Sequence, residues 1–281
     1  MKQRILTSVA IVAIMLLLAI LSGTIVYPIG LAVLAVIAVF EILRVMGAHK
    51  KFALSIPAYL FAAAFPIIAY FVKHEYMIYF LLALAAAVFV YMLWLMAISV
   101  FSKGKVAFSK ISEVFMAVTY VSVSFSSLTI LRYYDKNYGL LMVILAFVIP
   151  WICDVFAYFC GYLFGKHKLI PEVSPKKTVE GAIGGVVFSA IACAVYGLGV
   201  DLIIEGVKVN YLILLLFGAV LSVVSQLGDL VASLIKRKYG AKDYGRIFPG
   251  HGGIMDRFDS VLAVSTILLI LCILVPPFTA V

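Results

Sequence analysis

Charge is scarce in this chain. Only 12% of its 281 residues are Asp, Glu, Lys or Arg, while 65% are hydrophobic. A soluble domain carries roughly 25% charged and about 45–50% apolar residues, so a water-soluble core is excluded and lipid is implied as the solvent. Cysteine is sparse as well. Cys153, Cys160, Cys193 and Cys272 lack zinc-type spacing and fall inside apolar runs, which makes them small buried hydrophobes rather than a disulfide framework. No Gly-rich loop ends in Lys-Ser/Thr and no His-Glu zinc motif occurs, so neither a Walker-type nucleotide site nor a zinc hydrolase is indicated. There is no internal repeat and no low-complexity segment.

What is present is a series of long apolar runs. A span needs about 20 mostly apolar residues to cross the hydrocarbon layer. Nine runs qualify: Ile5–Leu21, Thr24–Ile42, Ser55–Val72, Tyr76–Phe101, Glu113–Leu131, Tyr138–Phe164, Gly181–Ile204, Val209–Ile235 and Phe258–Val275. The fold class is therefore all-α, a polytopic membrane protein. The first run follows Lys2 and Arg4 like a secretory signal, but eight more spans come after it and an uncleaved helix is expected.

Orientation follows from the basic residues. With a cytoplasmic N-terminus, eighteen of the 22 Lys and Arg fall in cytoplasmic segments, and only Lys73, Arg132, Lys136 and Lys208 fall outside. This is the positive-inside distribution, and nine spans then put the C-terminus outside, with the cell membrane as the location. The net charge of +9 is accordingly topological, with a secondary attraction to anionic headgroups. A nucleic-acid partner is not expected.

The chain divides in character. Residues 1–131 form five spans with short connections and read as a scaffold, with Glu41 and Glu113 at span ends within reach of water. Residues 132–281 hold four spans and two polar cytoplasmic loops, Gly165–Glu180 and Lys236–Arg257. The flanking spans carry Asp154 and Asp229, about 15 Å and 9 Å from their cytoplasmic ends at 1.5 Å per residue. An aspartate at mid-helix costs ~2.5–3.5 kcal/mol on insertion scales, which marks both as functional candidates. The bland alternative is a carboxylate neutralised by a neighbouring helix.

Spacing groups the remaining polar residues. Ser222, Ser225, Gln226, Asp229, Ser233 and Lys236 recur at three- and four-residue steps, forming one stripe opposite a face of Leu, Val and Ile. The stripe lines either a wet cavity or a polar helix contact, and its continuation into Lys236-Arg237 favours a cavity open to the cytoplasm. Asp154, Tyr158, Gly161 and Gly165 stack similarly, and Gly181, Gly184 and Gly185 open the next span. Small residues at this spacing let helices approach closely. Pro150 should kink the helix ahead of Asp154.

Ser174-Pro175-Lys176-Lys177-Thr178 precedes a helix start, and two ammonium groups flanked by hydroxyls and free helix N–H groups suit a polyphosphate. Basic loops on the inner face are common, so this signal is weak alone. The last loop is stronger. Lys236-Arg237, Lys242-Asp243, His251-Gly252-Gly253 and Asp256-Arg257-Phe258-Asp259 combine backbone able to close on an anion with carboxylates beside cations. That mixture suits a magnesium-bridged phosphate, because Mg²⁺ takes one or two carboxylates plus substrate phosphate oxygens.

The stretch Ser233–Asp259 resembles the signature of the phosphatidate cytidylyltransferases, the CDP-diacylglycerol synthases. The matching elements are Ser233, Lys236-Arg237, Lys242-Asp243, Pro249, His251-Gly252-Gly253, Asp256-Arg257 and Asp259. Ser174–Gly181 is similar to a second run of that family, and the resemblance covers the C-terminal half. Around Asp154 the chain departs from the pattern. Val155-Phe156 stands where the family has a small or hydroxyl pair, and Tyr162 stands where it has a cation, so no phosphate contact is expected from Tyr162.

The resemblance implies transfer of CMP from CTP to phosphatidate, giving CDP-diacylglycerol and pyrophosphate, with Mg²⁺ and a second cation. It implies Asp229 and Asp256 as metal ligands, with Lys242 and Asp154 also catalytic. Ser174, Lys176, Lys177, Thr178, Lys236, Arg237, His251, Gly252, Gly253 and Arg257 would contact phosphates. Phosphatidate is a phosphomonoester with a second pKa near 6, largely dianionic at pH 7, so charge neutralisation matters more than a strong base. The partners are CTP, phosphatidate and membrane lipid, and the glycine faces would suit a homodimer. The rival from another class is a cation-coupled transporter with ion sites at Asp154 and Asp229. The missing repeat and the crowding of polar residues at one face argue against it.

Overall fold

The computed structural model of the protein describes residue 13 and residues 16–280 other than 73, 136, 249 and 251. The expected span Ile5–Leu21 lies mostly outside the described residues. Its last residues, 16–20, are helical and lead into a short 3-10 turn, Leu21–Gly23.

Among the described residues eight helices are long and apolar enough to cross a membrane. They are α1 (Val26–Val45), α2 (Phe52–Phe71), α3 (Met77–Phe101), α4 (Phe108–Tyr134), α5 (Gly139–Phe164), α6 (Val179–Ile203), α7 (Tyr211–Lys238) and α8 (Met255–Leu274). Each matches one of the remaining expected runs to within a few residues, so the chain is an all-α polytopic membrane protein. Apolar side chains such as Phe71, Phe101, Leu202 and Leu212 point outward, as a lipid solvent requires. The ends are set by local chemistry. Gly47, at φ +67, closes α1 in a Schellman arrangement: its N–H reaches the Arg44 carbonyl at 3.0 Å and the Ala48 N–H reaches Leu43 at 2.8 Å. Helix α5 runs through Pro150 without interruption.

The chain divides into two compact units. The first comprises the described residues up to Asp135 together with Tyr239–Phe258. Within it α2 packs on α1, α4 and α3, while α4 also packs on α1 and α3. Its core includes Leu31, Leu43, Leu54, Phe125 and Leu131. The polar segment Tyr239–Phe258 folds with these helices. Glu41 is not within reach of water at a span end; it is only 1% exposed, because the polar segment covers it.

The second unit comprises the described residues of 137–238 together with Asp259–Ala280. Helices α5, α6 and α7 pack on one another. Two short strand pairs that the sequence did not announce join them: one hairpin and one pairing of distant segments. Strand β1 (Lys168–Ile170) pairs antiparallel with β2 (Ser174–Thr178), matching Lys168 with Thr178 and Ile170 with Ser174. Strand β3 (Val207–Val209) pairs with β4 (Phe278–Ala280) in the register Val209–Phe278. Phe278 is buried, with Tyr138 and Tyr196 as ring neighbours.

Candidate active site

The second unit contains a cavity of about 540 Å³ walled by α5, α6, α7 and the β1–β2 hairpin. Helical spacing on α5 aligns Asp154, Tyr158 and Tyr162 along one wall, and the rings of Tyr158 and Tyr162 stack with their centroids 6.4 Å apart. The opposite wall is β2, which presents Ser174, Lys176, Lys177 and Thr178, with Gln226 of α7 completing the lining. The phosphate-loop residues expected from sequence therefore sit on a strand rather than in open loop, and they share the cavity with Asp154.

Close helix approach builds this cavity. A Cβ on Gly181 would lie 2.5 Å from the Ala157 carbonyl oxygen, and one on Gly184 would lie 2.4 Å from Cys160 Sγ. Gly161, Gly165, Gly181, Gly184 and Gly185 are thus consumed inside the chain, so the spacing of these glycines is accounted for without a homodimer. Thr178 caps α6, its Oγ1 accepting from the Gly181 N–H at 3.1 Å. One N–H expected to be offered to a phosphate is therefore already bonded. Glu180, in the first turn, accepts from the His167 backbone N–H and lies 2.6 Å from His167 Nδ1, tying the hairpin base to α6.

Helix α7 carries the polar stripe. Ser222 and Ser225 are buried, while Val223, Leu227, Val231 and Leu234 face outward. Its upper part is a helix contact: the Ser222 carbonyl accepts from Cys153 Sγ at 3.7 Å, and Gln226 Nε2 donates to the Ala182 carbonyl at 3.2 Å. Its lower part is charged. Asp229 lies 2.5 Å from Lys177 Nζ, with the two side chains 27% and 23% exposed. Asp259, buried on α8, has Asp229, Lys236 and Asp154 as its charged neighbours. Three carboxylates thus share one region with two ammonium groups. Lys236 and Arg237 close the last turn of α7, where positive charge also complements the helix dipole.

The first unit holds the other half of the sequence signature. Asp256, in the first turn of α8, folds the preceding segment around its own carboxylate. Its Oδ2 accepts from the N–H groups of Tyr244, Gly253 and Gly245 at 2.7, 3.0 and 3.4 Å. Gly252, at φ +84, pairs its carbonyl with the Phe248 N–H at 2.9 Å, a turn that a residue with a Cβ adopts only at a cost. Arg257 and Lys242 are exposed. His251 lies outside the described residues.

These side chains fit a hard divalent ion in kind. The donors are carboxylate oxygens, and Asp229 already attracts a cation in the form of the Lys177 ammonium. Among the described residues no three His, Cys, Asp or Glu side chains converge as a complete cage. An ion that keeps waters and substrate oxygens needs only one or two protein carboxylates.

Sequence reasoning did not single out Arg44 or Tyr239 in the first unit, read Glu41 only as a span-end carboxylate, and grouped Asp259 with the acids of the last loop without assigning it a separate role. A carboxylate beside a span end gives no sign of what will cover it. Asp259 lay within the recognised signature and could have been found there.

A polytopic helical protein with a cation-lined cavity and carboxylates at its helix ends has the make-up of a membrane enzyme acting on phosphorylated substrates. The comparisons are specific. The sequence profile of the cytidylyltransferase family matches residues 2–275, and the chain belongs to that family. It is 45% identical over 175 residues to the phosphatidate cytidylyltransferase of Staphylococcus epidermidis, a stretch covering 62% of this chain and 64% of that protein. It is 37% identical over 268 residues to the phosphatidate cytidylyltransferase of Bacillus subtilis, covering 94% of each. With the protein of that name from Staphylococcus aureus it shares 39% identity over 277 residues, 97% of this chain and 99% of the other. The transporter alternative is left without support.

Proposed function

We propose that the protein is a phosphatidate cytidylyltransferase, a nucleotidyltransferase of phospholipid biosynthesis in the cell membrane. The observation that carries this reading is the cavity of the second unit, which Lys176 and Lys177 share with Asp154 within helices whose outer faces are apolar. A lipid phosphate enters such a cavity from the bilayer and a nucleoside triphosphate enters from water. A phosphate oxygen of phosphatidate attacks the α-phosphorus of CTP. A new P–O bond forms at that phosphorus, the bond between it and the bridging oxygen of the α–β linkage breaks, and pyrophosphate leaves with that oxygen. The nucleophile is already ionised, so the residues position and neutralise rather than abstract a proton.

Asp229, and in the other unit Asp256, are assigned to Mg²⁺ by the motif each occupies; the metal supplies charge neutralisation for the phosphates. Lys176, Lys177, Lys236, Arg237, Lys242 and Arg257 are assigned to phosphate charge, Ser174, Thr178, His251 and Gly252 to phosphate hydrogen bonds, and Asp154 to the catalytic wall, while the Gly253 N–H is already held by Asp256. The N-terminus is placed in the cytoplasm and the C-terminus outside, on the distribution of basic residues. The test is to incubate the purified protein with labelled CTP, phosphatidate and Mg²⁺. CDP-diacylglycerol and pyrophosphate in equal amounts are expected. Release of CMP or inorganic phosphate instead would overturn the reading.

A further inference from the structure

The segment Tyr239–Phe258 is gripped by side chains from α1 and α4, the helices that sequence alone presents as scaffold. At its start, the Tyr239 hydroxyl donates to Glu113 and accepts from Lys110 Nζ at 3.0 Å. The same ammonium also donates to the Met46 carbonyl and lies 4.5 Å from the centre of the Tyr239 ring. Burial and the neighbouring Glu113 charge raise the Tyr239 hydroxyl to about 12, so it stays a donor at working pH. Further along, Arg44 Nη2 donates to the Tyr244 carbonyl at 2.7 Å.

At the end of the segment, Glu41 Oε2 accepts from the Met255 N–H at 2.9 Å. A carboxylate from a distant helix thus satisfies an orphan donor at the N-terminus of α8, where negative charge is favoured. Glu41 does more than cap. A Cβ on Gly253 would lie 2.1 Å from Glu41 Oε1, and one on Gly245 would lie 1.9 Å from it. The carboxylate is therefore wedged against two separate passes of the segment, both of which also donate backbone N–H groups to Asp256. Burying a carboxylate is costly unless it is bonded, and Glu41 is buried where it bonds this segment.

We infer that Glu41, assisted by Arg44, Lys110 and Glu113, is a positioning residue that templates the segment Tyr239–Asp256 and thereby sets the orientation of Asp256. The role of the oriented carboxylate rests on the proposed function; the template itself does not. A small misplacement of a catalytic group costs orders of magnitude in rate, which gives a buried carboxylate so far along the chain a reason to be there.

The test uses the full chain in detergent, read first by trypsin cleavage after Lys242 and Arg246, both exposed. Local opening governs such cleavage, and Glu41→Ala should raise its rate by about tenfold. Glu41→Gln, which keeps the shape and one acceptor oxygen, should stay within about threefold of the parent. Should Glu41→Ala fail to accumulate, Arg44→Ala removes one outer contact and should still raise cleavage by about threefold. Cleavage at the parental rate in the alanine variant that accumulates overturns the inference.

The second readout is kinetic. Glu41→Ala should lower kcat by about tenfold or more while KM for CTP stays within about threefold. Gly253→Ala should lose activity because of Glu41 alone, so the double variant should do no worse than Glu41→Ala. Losses that multiply would show the two sites to be uncoupled and would overturn the wedge. If the parent enzyme makes no CDP-diacylglycerol, the proposed function fails, and the trypsin result still decides the template.

Discussion

The ammonium of Lys177 lies 2.5 Å from the carboxylate of Asp229, joining strand β2 to helix α7. Lys176, its neighbour in sequence, lines the same cavity but is exposed. The two lysines look alike in the sequence but occupy different environments. Lys176→Ala should raise KM for CTP by about tenfold with little change in kcat, as expected for a lost contact to a solvent-borne triphosphate. Lys177→Ala also strips Asp229 of its partner and should lower kcat in addition. Steady-state kinetics with each substrate varied in turn checks this, and identical effects from the two variants would contradict it.

The two aspartates proposed to hold the metal should also separate. Asp229→Asn and Asp256→Asn keep side-chain shape but lose the charge that holds a divalent ion, and each should cost at least about a thousandfold in turnover. Asn can still accept from backbone N–H groups, so Asp256→Asn should leave the segment folded and its trypsin cleavage unchanged. Asp256→Ala removes the acceptor for Tyr244, Gly245 and Gly253 and should accelerate cleavage as well. Near-normal turnover in either Asn variant at saturating Mg²⁺ would remove that residue from the metal site.

Helix α6 offers an internal contrast in packing. Gly181→Ala would drive a Cβ to 2.5 Å from a backbone oxygen of α5, and the two helices must part. Overpacking of this kind costs about 1–3 kcal/mol, and the cavity between the same helices should deform with it. Gly199→Ala on the same helix meets nothing within 4 Å. Alanine is the better helix former by about 0.8–1.0 kcal/mol, so that variant should be neutral or stabilising. Thermal unfolding in detergent, with CTP affinity measured in parallel, distinguishes the two.

Much of the fold was legible because the bilayer imposes a length and a composition on every span. The eight described helices fall where long apolar runs fall. The signature residues were legible because charge is rare in such a chain, so Asp154, Asp229 and the Lys236–Asp259 stretch stand out. The β1–β2 hairpin was not legible, since Lys168–Ile170 and Ser174–Thr178 are too short and too polar to show alternation. Glu41 was misread for a different reason. Its position at a span end was correct, but burial was decided by Gly245, Gly253 and Met255, some two hundred residues later in the chain. No local pattern encodes that contact.

The pH profile should identify which ionisation controls the rate. A carboxylate acting as general base needs a pKa raised towards neutrality, and replacing it would abolish the acid limb. Carboxylates that hold a cation have their pKa values pushed down by its charge, so they remain ionised well below neutral pH. Under the proposed function the acid limb then belongs to phosphatidate. Its dianion predominates above the second pKa, near 6, and activity falls as pH drops through that value. A phosphonate analogue with a more acidic second ionisation should move the limb to lower pH, while exchanging the divalent metal should barely move it. Tyr239 provides a control. Its pKa is raised to about 12 by burial and by Glu113, so the hydroxyl keeps its proton across the working range and Tyr239→Phe should leave the limb in place. A limb that stays fixed when the substrate's ionisation is changed would point to a base on the enzyme, and Asp154→Asn would be the variant to test next.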